Sequence, residues 1–220
     1  MFFYLFLAGI WSRVIPAEGL RQYRLFKGDS LGVAPAIAVW YVLNTFVTYW
    51  CHRFQHRFDL AWRMLHQVHH SIPQFDILSS VMTHPLDLIV FPTLSVFVSA
   101  FLLGFDARVV AIIGVLDFFI TLFPHWNVRT PSWVGYFIQR PEEHILHHQR
   151  EVHADNYSDW PLWDKVFGTY RAPVEEPVQV GFARAGFAEQ LKMLGFIDIN
   201  AAGYVNRGRI ESTSRASSVS

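Results

Sequence analysis

Cysteine and charged side chains are both scarce in this sequence. Cys51 is the single cysteine among 220 residues, which excludes an intramolecular disulfide framework and any C-x-x-C metal or redox motif. A bound metal would therefore have to be held by nitrogen and oxygen ligands. Charged residues make up 16% of the chain, well below the roughly 25% of soluble domains. Because the formal net charge is zero, nothing indicates a nucleic-acid partner.

Apolar residues are abundant instead, at 52% of the chain with 20 Phe and 8 Trp. Residues 31–51 contain neither a charge nor a histidine and are about long enough to cross the hydrocarbon core of a bilayer. Residues 88–105 form a second uncharged run, and residues 107–123 return after the tight turn Gly104-Phe105-Asp106, where Asp106 is placed to cap the next helix. The last two runs together predict a membrane hairpin.

The flanking segments complete the predicted organisation. Residues 1–30 are expected to be an N-terminal apolar or interfacial segment; residues 1–11 are apolar but too short to cross a bilayer alone, and are either interfacial or the end of a longer helix. Residues 31–173 would form the main domain. Residues 174–205 would be a C-terminal helical extension, with one amphipathic helix over residues 181–196. Residues 206–220 are rich in Ser and Arg and are predicted to be a disordered tail.

All eleven histidines lie between His52 and His153. Eight of them recur at spacings of three and four residues, in the stretches H-R-F-Q-H, H-Q-V-H-H and H-I-L-H-H. On a helix such residues lie on one face, within roughly 5–6 Å of each other. Each set can therefore present its imidazoles to a common point, as metal ligands do; scattered core or surface histidines are the weaker explanation.

The hairpin predicts that the histidines share one side of the membrane. A segment that crosses and returns leaves His84, before it, and His125, after it, on the same side, and residues 31–51 deliver His52 to that side too. Basic residues such as Arg53 and Arg140 favour a cytoplasmic location for this side. Four basic residues between positions 13 and 27 argue the other way if that stretch lies opposite. We expect the cytoplasmic location.

The histidine stretches differ from the zinc-protease motif H-E-x-x-H at its general base. Arg53, Gln67 and Ile145 stand where that glutamate would be, so a hydrolytic zinc site would lack its base. Eight clustered histidines are also too many for one ion, which takes four to six ligands and must keep an open position for chemistry. Two ions sharing eight to ten imidazoles are therefore expected. Neutral imidazole suits iron, zinc, copper and nickel alike.

Five stretches, in this order, resemble the fatty acid hydroxylase/sterol desaturase superfamily: H-R-F-Q-H, H-Q-V-H-H-S, T-H-P-L-D, H-I-L-H-H and N-Y-S-D-W-P-L-W-D-K-V-F-G-T-Y. The resemblance covers residues 47–173 and implies an all-α, integral-membrane helical bundle with a cytosolic helical cap that holds a histidine-rich di-metal site. It implies an enzyme with two non-haem iron ions that activates O2 with electrons from a cytochrome b5-like or ferredoxin-type donor. Such an enzyme hydroxylates or desaturates an unactivated C–H bond of a lipid substrate.

The same resemblance implies which residues bind the metal. The three histidine stretches supply eight ligands, a histidine after the hairpin supplies a ninth, and the one in H-P-L-D is a tenth candidate. The ten are His52, His56, His66, His69, His70, His84, His125, His144, His147 and His148. No catalytic residue beyond these ligands is expected. His153 is expected at the surface or beside a ligand rather than on the metal.

Other residues keep two interpretations each. Glu143, Asp155 and Asp159 are candidates for carboxylates that orient imidazole N–H groups, with surface acids or helix caps as the alternative. Asp117 lies in a hairpin arm, where a lipid-facing carboxylate would be costly; it either faces the substrate or makes a buried hydrogen bond to a neighbouring helix. Residues 163–169 are predicted to be a turn that holds the fold beneath the site.

The alternative function is a non-enzymatic membrane protein that binds or transports metal, or a bis-histidine haem protein. Transport favours ligands within the membrane along a path, whereas these histidines lie outside the apolar runs. Haem would need only two histidines and would leave most of the others unexplained.

Overall fold

The structure, a computed structural model, describes residues 27–183 and 187–199 together with positions 6, 10 and 24. Within these residues the secondary structure is helical, apart from one isolated β-bridge between Gln149 and Val180. The all-α prediction is therefore confirmed for this part of the chain. By length and composition two helices could cross a membrane, Val33–Arg57 and Ala107–His125, and a shorter apolar helix covers Asp87–Leu102.

The first helix, α1 (Val33–Arg57), extends beyond the uncharged run that predicts it. It begins after Gly32, whose backbone is extended, and ends where Phe58 is extended again. Its last turns carry His52 and His56. One continuous helix therefore joins the apolar segment to the first two histidines.

Two short helices follow α1, namely α2 (Asp59–Ala61) and α3 (Gln67–His70). Between them lies a π-helical segment, Trp62–His66. A π-helix closes its hydrogen bonds over one residue more than an α-helix does, and single π-turns are frequent at functional sites. This segment therefore sets the rotation at which the following histidines face the site.

The predicted hairpin is present as two antiparallel apolar helices. The first arm is α4 (Asp87–Val96), which continues as the π-helical segment Phe97–Leu102. The second arm is α5 (Ala107–Leu122). A buried apolar cluster joins both arms to α1; it contains Ala36, Trp40, Val98, Leu103, Phe105, Val109 and Ile113.

The turn between the arms has the predicted chemistry. Gly104 has a φ of +67°, in the left-handed region that favours glycine. The carboxylate of Asp106 accepts the backbone N–H groups of Arg108 at 2.8 Å and Val109 at 2.9 Å. Asp106 therefore caps α5, as predicted.

The described residues just before α1 lie at the hairpin turn, at the end of α1 opposite to His52 and His56. Gly28, in the 3-10 turn Gly28–Ser30, donates its backbone N–H to the carbonyl of Leu103 at 3.0 Å. A Cβ at Gly28 would lie 2.3 Å from the same oxygen, so this approach requires glycine. Arg24 also lies against this turn, at the end of the hairpin that carries Arg108. Basic residues thus occupy both ends of the bundle, and the cytoplasmic location of the histidines stays a prediction.

His125 lies in a 3-10 helix directly after α5, Phe123–His125. His144 and His147 lie in α6 (Pro141–His147), and His148 caps its C-terminal end. Pro141 occupies the first position of α6, and the Glu143 carboxylate accepts the backbone N–H of Arg140 at 3.0 Å. Both are N-terminal helix signals, and they fix where α6 begins. The other helices in this part are the 3-10 helices Ser79–Val81 and Ser132–Tyr136, and α7 (Pro161–Val166).

The C-terminal extension contains α8 (Phe187–Leu194), which is shorter than the predicted helix over residues 181–196. Gly181 has a φ of +74°, and a Cβ there would lie 2.1 Å from the carbonyl oxygen of Ile72. A helix cannot start at a residue with this φ. Met193 of α8 is buried, whereas Leu191 and Leu194 are exposed. The predicted tail, residues 206–220, lies outside the described residues, as does most of segment 1–30.

Candidate metal centre

Nine buried histidines form two groups. Within each group the candidate ligand atoms lie within 4.8 Å of one another. We call the set of five group 1 and the set of four group 2. Group 1 contains His52, His56, His66, His70 and His147, and group 2 contains His69, His125, His144 and His148. The two groups adjoin, because the rings of His70 and His148 stack across them with centroids 4.2 Å apart. Two adjacent groups match the expectation of two ions.

The second and third histidine stretches are each divided between the groups, so they do not converge on one point each as predicted. His66 and His70 belong to group 1 while His69 belongs to group 2, and His144 and His148 belong to group 2 while His147 belongs to group 1. The reason is helix periodicity. In a helix with 3.6 residues per turn, residue i+4 lies about 40° around the helix axis from residue i. Residue i+3 lies about 60° from residue i in the opposite direction.

The nitrogen atoms within each group are spaced like ligands of one ion. In group 1, Nε2 of His52 lies 2.9 Å from Nε2 of His66. In group 2, successive Nε2–Nε2 distances are 3.1 Å for His69–His125, 3.2 Å for His125–His144 and 3.2 Å for His144–His148. With metal–nitrogen bonds of about 2.0–2.1 Å, two ligands at right angles lie about 3.0 Å apart. The observed distances agree with that geometry.

Oxygen atoms of the protein hold several imidazoles by the other ring nitrogen. Nδ1 of His52 lies 2.7 Å from the carbonyl of Tyr157, and Nδ1 of His147 lies 2.6 Å from the carbonyl of Asp155. Nδ1 of His125 lies 3.1 Å from the carbonyl of Thr121. A carbonyl oxygen only accepts, so these Nδ1 atoms carry the proton and donate it. Their Nε2 atoms are then the lone-pair atoms that face the group centres.

The carboxylate of Asp87 also holds an imidazole of group 1 by its Nδ1 atom. Nδ1 of His66 donates to Oδ2 of Asp87 at 3.0 Å, and both side chains are buried. Gln55 and Thr83 donate to the same carboxylate, at 2.6 Å and 3.0 Å. The sequence prediction missed Asp87, although it ends the T-H-P-L-D stretch that carries part of the family resemblance.

This arrangement fits a metal ion. The Nε2 atoms of His52 and His66 face each other with lone pairs at 2.9 Å, which is repulsive unless a cation lies between them. The Nε2 atoms of His70 and His147 are buried and make no hydrogen bond within the described residues, a costly arrangement unless a ligand binds there. Burial lowers the pKa of five histidines outside the candidate spanning helices well below the ordinary value of 6.5. These histidines are therefore neutral, as metal ligands must be. They are His69, His70, His144, His147 and His148.

His84 and His153 lie outside both groups. Nδ1 of His84 accepts the backbone N–H of Leu86 at 3.1 Å, and its Nε2 donates to the carbonyl of Leu194 at 3.3 Å. His84 thus ties the C-terminal extension to the chain before α4. His153 lies behind a group 1 ligand, with its Nδ1 3.1 Å from Nδ1 of His70.

The three acids predicted to orient imidazoles have other contacts. The Glu143 carboxylate caps α6 and accepts from the hydroxyl of Tyr170 at 3.0 Å. Asp155 contributes its backbone carbonyl to His147, and Asp159 accepts from the hydroxyl of Thr48 at 3.2 Å. Asp117 makes one of the two contacts considered for it, a buried hydrogen bond to a neighbouring helix, accepting from Nδ2 of Asn44 at 3.3 Å.

The W-D-K-V-F-G-T stretch supports the site through Asp164. Its carboxylate is fully buried and accepts the backbone N–H groups of Tyr157 and Ser158, both at 2.8 Å, and the hydroxyl of Thr169 at 2.7 Å. Tyr157 is the residue whose carbonyl holds His52. The predicted fold-holding turn therefore positions a histidine of group 1.

A cavity of about 400 Å³ opens beside both groups. His52 and His66 of group 1 line it, as do His69, His125 and His144 of group 2. Most of its other walls are apolar, and come mainly from the hairpin residues Leu88, Phe91, Pro92, Phe118 and Leu122. A larger open groove of about 690 Å³, between residues 146–151 and 171–183, has none of the nine histidines in its lining. The apolar cavity with few polar groups is the better candidate for a ligand site.

Comparison with known proteins agrees with this geometry. A family model described as Fatty acid hydroxylase matches residues 37–169, well over half of the chain. The chain belongs to the fatty acid hydroxylase family. The matched residues span α1, the hairpin and both histidine groups, so the resemblance drawn from the five sequence stretches is confirmed.

Several curated proteins are similar to this member of the family. The Delta(7)-sterol 5(6)-desaturase ERG3B of Gibberella zeae is 26% identical over 66% of this chain and 44% of its own length. The very-long-chain aldehyde decarbonylase GL1-9 of Oryza sativa subsp. indica is 24% identical over 56% of this chain and 49% of its own. The alkylglycerol monooxygenase of Homo sapiens is 27% identical over 59% of this chain and 29% of its own. The chain thus spans less than half the length of these relatives, and no solved structure matches it significantly.

Proposed function

We propose that this protein is a membrane-bound di-iron oxygenase that uses O2 and electrons from an external donor to hydroxylate or desaturate an unactivated C–H bond of a lipid. The observation that carries the proposal is the largely apolar cavity that meets both histidine groups. A hydrocarbon chain in this cavity would place its carbons beside the histidines. The relatives include a named sterol desaturase and a named alkylglycerol monooxygenase, which supports oxygen-dependent lipid chemistry.

In this proposal group 1 holds one iron ion and group 2 holds the other. Bound iron supplies the redox chemistry that O2 activation requires. The carbonyls of Tyr157, Asp155 and Thr121 and the carboxylate of Asp87 fix the imidazoles, so that unprotonated Nε2 atoms face each centre. Neutral imidazole is also a good ligand for other transition metals, so the metal must be identified by experiment.

The apolar walls of the cavity would bind the lipid and exclude water. Leu88, Phe91 and Phe118 are large apolar side chains from the two arms of the hairpin. Against them an alkyl segment is held by burial of its own apolar surface, at about 25 cal/mol per Å². The same side chains exclude water from the histidine side of the cavity, so that the oxidation reaches the substrate rather than the solvent.

The proposed partners follow from the chemistry of the reaction. Hydroxylation by O2 inserts one oxygen atom into the lipid and reduces the other to water, which takes two electrons that the lipid does not supply. We propose a cytochrome b5-like or ferredoxin-type protein as their donor. We also propose that the protein is a multi-pass membrane protein with the histidines on the cytoplasmic side; the two long apolar helices and the apolar helix Asp87–Leu102 support the membrane location.

Lipid analysis tests the proposed reaction. Cells that express the protein should contain a lipid heavier by one oxygen, or lighter by two hydrogens, than its counterpart in cells without it. The product should disappear with His147→Ala. It should persist with Glu175→Ala, a substitution in an exposed loop. Unchanged lipids in cells whose protein carries both irons would contradict an oxygenase.

Metal analysis of the purified protein tests the rival functions. We expect about two iron atoms per chain and no Soret band, because the nine histidines form two groups and not a single bis-histidine pair. A Soret band would indicate haem. Rapid exchange of the metal with the medium would instead favour transport.

A further inference from the structure

Two carboxylates line the cavity that the proposed function assigns to the lipid. Asp117 comes from α5, and Asp159 comes from the loop before α7. Thr48 of α1 also lines the cavity and donates to Oδ2 of Asp159 at 3.2 Å. An ionisable side chain on a candidate spanning helix is costly, and such residues commonly mark a ligand or ion site. We call Asp117, Asp159 and Thr48 the polar end of the cavity. A purely hydrocarbon ligand could not form a hydrogen bond with it.

The polar end lies at a fixed distance from the histidines. Along α5, Nδ1 of His125 bonds the carbonyl of Thr121, and the hydroxyl of Thr121 bonds the carbonyl of Asp117 at 2.9 Å. Asp117 is therefore two turns before His125 on the same face, about 12 Å by helical rise. Thr48 is one turn before His52 on α1. The carboxylates thus lie one to two helical turns from the proposed metal ligands.

Asp117 is held in place by a buried side chain of α1. Asn44 is 1% exposed, and its Nδ2 donates to Oδ1 of Asp117 at 3.3 Å. Asp117 therefore lines the cavity from a fixed position.

We propose that Asp117 and Asp159 bind a hydroxyl group of the lipid substrate and thereby fix which carbon lies beside the histidines. This inference rests on the proposed function, because it takes the cavity as the lipid site. The substrate class is then a lipid alcohol, on a chain or on a ring, rather than a bare hydrocarbon chain.

The charge state of the pair suits an alcohol. Burial, and next the charge of Asp117, raise the pKa of Asp159 to about 7. Near neutral pH the Asp159 carboxyl is therefore protonated in about half of the molecules. A protonated carboxyl donates a hydrogen bond and an ionised one accepts, which complements a hydroxyl group. An ammonium group would instead favour two ionised carboxylates.

A binding experiment tests the proposal without turnover. Iron-loaded protein in phosphatidylcholine nanodiscs, under nitrogen and without reductant, is incubated with tritiated hexadecan-1-ol. Unlabelled hexadecan-1-ol, hexadecane and hexadecylamine compete, and empty nanodiscs correct for partitioning. We expect the alcohol to compete about tenfold better than the alkane, as a hydrogen bond to a charged group predicts. The ratio of competition by the alcohol to competition by the alkane should fall to about one in Asp117→Leu and in Asp159→Leu. It should stay at about ten in Glu175→Leu, an exposed control.

Each outcome decides the proposal. No preference for the alcohol in the wild type, or a preference kept in both aspartate variants, would overturn it; so would stronger competition by the amine. If a leucine variant does not retain two irons, Asp117→Asn and Asp159→Asn replace it and should reduce the preference at least threefold. The proposed oxygenase function fails by a different result, an iron-loaded protein that yields no oxidised lipid, and the alcohol preference is measurable in that case too.

Discussion

Nδ1 of His66 donates to the carboxylate of Asp87 at 3.0 Å, with both side chains buried. Gln55 of α1 donates to the same carboxylate at 2.6 Å. Asp87 therefore connects the start of the hairpin, the last turns of α1 and a histidine of group 1. Its charge also compensates part of the positive charge that a metal ion would bring among neutral imidazoles.

The first prediction concerns this carboxylate. Asp87→Asn should lower the affinity of group 1 for iron about 10- to 100-fold, because partners that orient a ligand histidine typically contribute that much. Competition with a chelator, read by the iron retained per chain, measures the effect. Asp59→Asn, on an exposed aspartate that pairs with Arg63 at the surface, is the matched control. Equal affinity in the two variants would contradict the role of Asp87.

The second prediction concerns the division of the histidines. His144→Ala/His148→Ala removes two members of group 2 and should leave about one iron per chain, held by group 1. His70→Ala/His147→Ala removes two members of group 1 and should leave the other iron. Metal analysis after gel filtration measures both. The division is wrong if either double variant, still folded by circular dichroism, loses both irons.

The third prediction concerns His84. His84→Gln should retain about two irons per chain, because both ring nitrogens bond the backbone and the residue lies outside both groups. It should loosen the C-terminal extension and cost about 1 kcal/mol of stability, the net value of a typical hydrogen bond. Iron content and thermal unfolding measure the two effects. Loss of an iron would restore His84 as the tenth ligand.

The fourth prediction is a pH dependence of the metal-free protein. Burial lowers the pKa of His69, His70, His144, His147 and His148 in the fold, whereas in the unfolded chain these groups bind protons below about pH 6.5. Stability should therefore be full above pH 6.5 and fall as the pH drops, by about 1 kcal/mol per pH unit for each histidine.

Three carboxyls oppose this trend but do not reverse it. Burial raises the pKa of Asp159 and of Asp164 to about 7, so their contribution is largest at low pH and is lost as the pH rises from about 4 to 7. Burial also raises the pKa of Glu143, so three groups work against five. Thermal unfolding of chelator-treated protein between pH 7.5 and 5.5 should show a falling midpoint, and a constant or rising midpoint would contradict the neutral, buried state of the histidines.

Local features were predictable from the sequence. The lengths of the uncharged runs predicted α1 and the hairpin, and the acceptor geometry of Asp106 predicted the start of α5, because each depends on neighbours within a few residues. The number of histidines predicted more than one metal-binding group, because the ligand number of one ion is a chemical limit, and two adjacent groups are present. The family followed from the order of the five stretches.

Contacts between distant parts of the chain were not predictable in the same way. The division of the histidine stretches depends on how α3 and α6 are rotated across the site, which spacing within one helix does not reveal. Asp87 supports a histidine 21 residues earlier in the chain, and the sequence offers two nearer acids, Asp59 and Asp76. The extent of α8 was overestimated, because the apolar pattern of residues 181–196 does not register the positive φ of Gly181.

The π-helical segment Trp62–His66 constrains how many residues this part of the chain contains, whatever their side chains are. Deleting one residue there would turn His69 and His70 by about 100° relative to α1. Each group would then lose a histidine at once, whereas a conservative exchange of a side chain in the segment would leave that rotation unchanged. Insertions and deletions should therefore be tolerated in the loops on the far side of the bundle and excluded from these five positions.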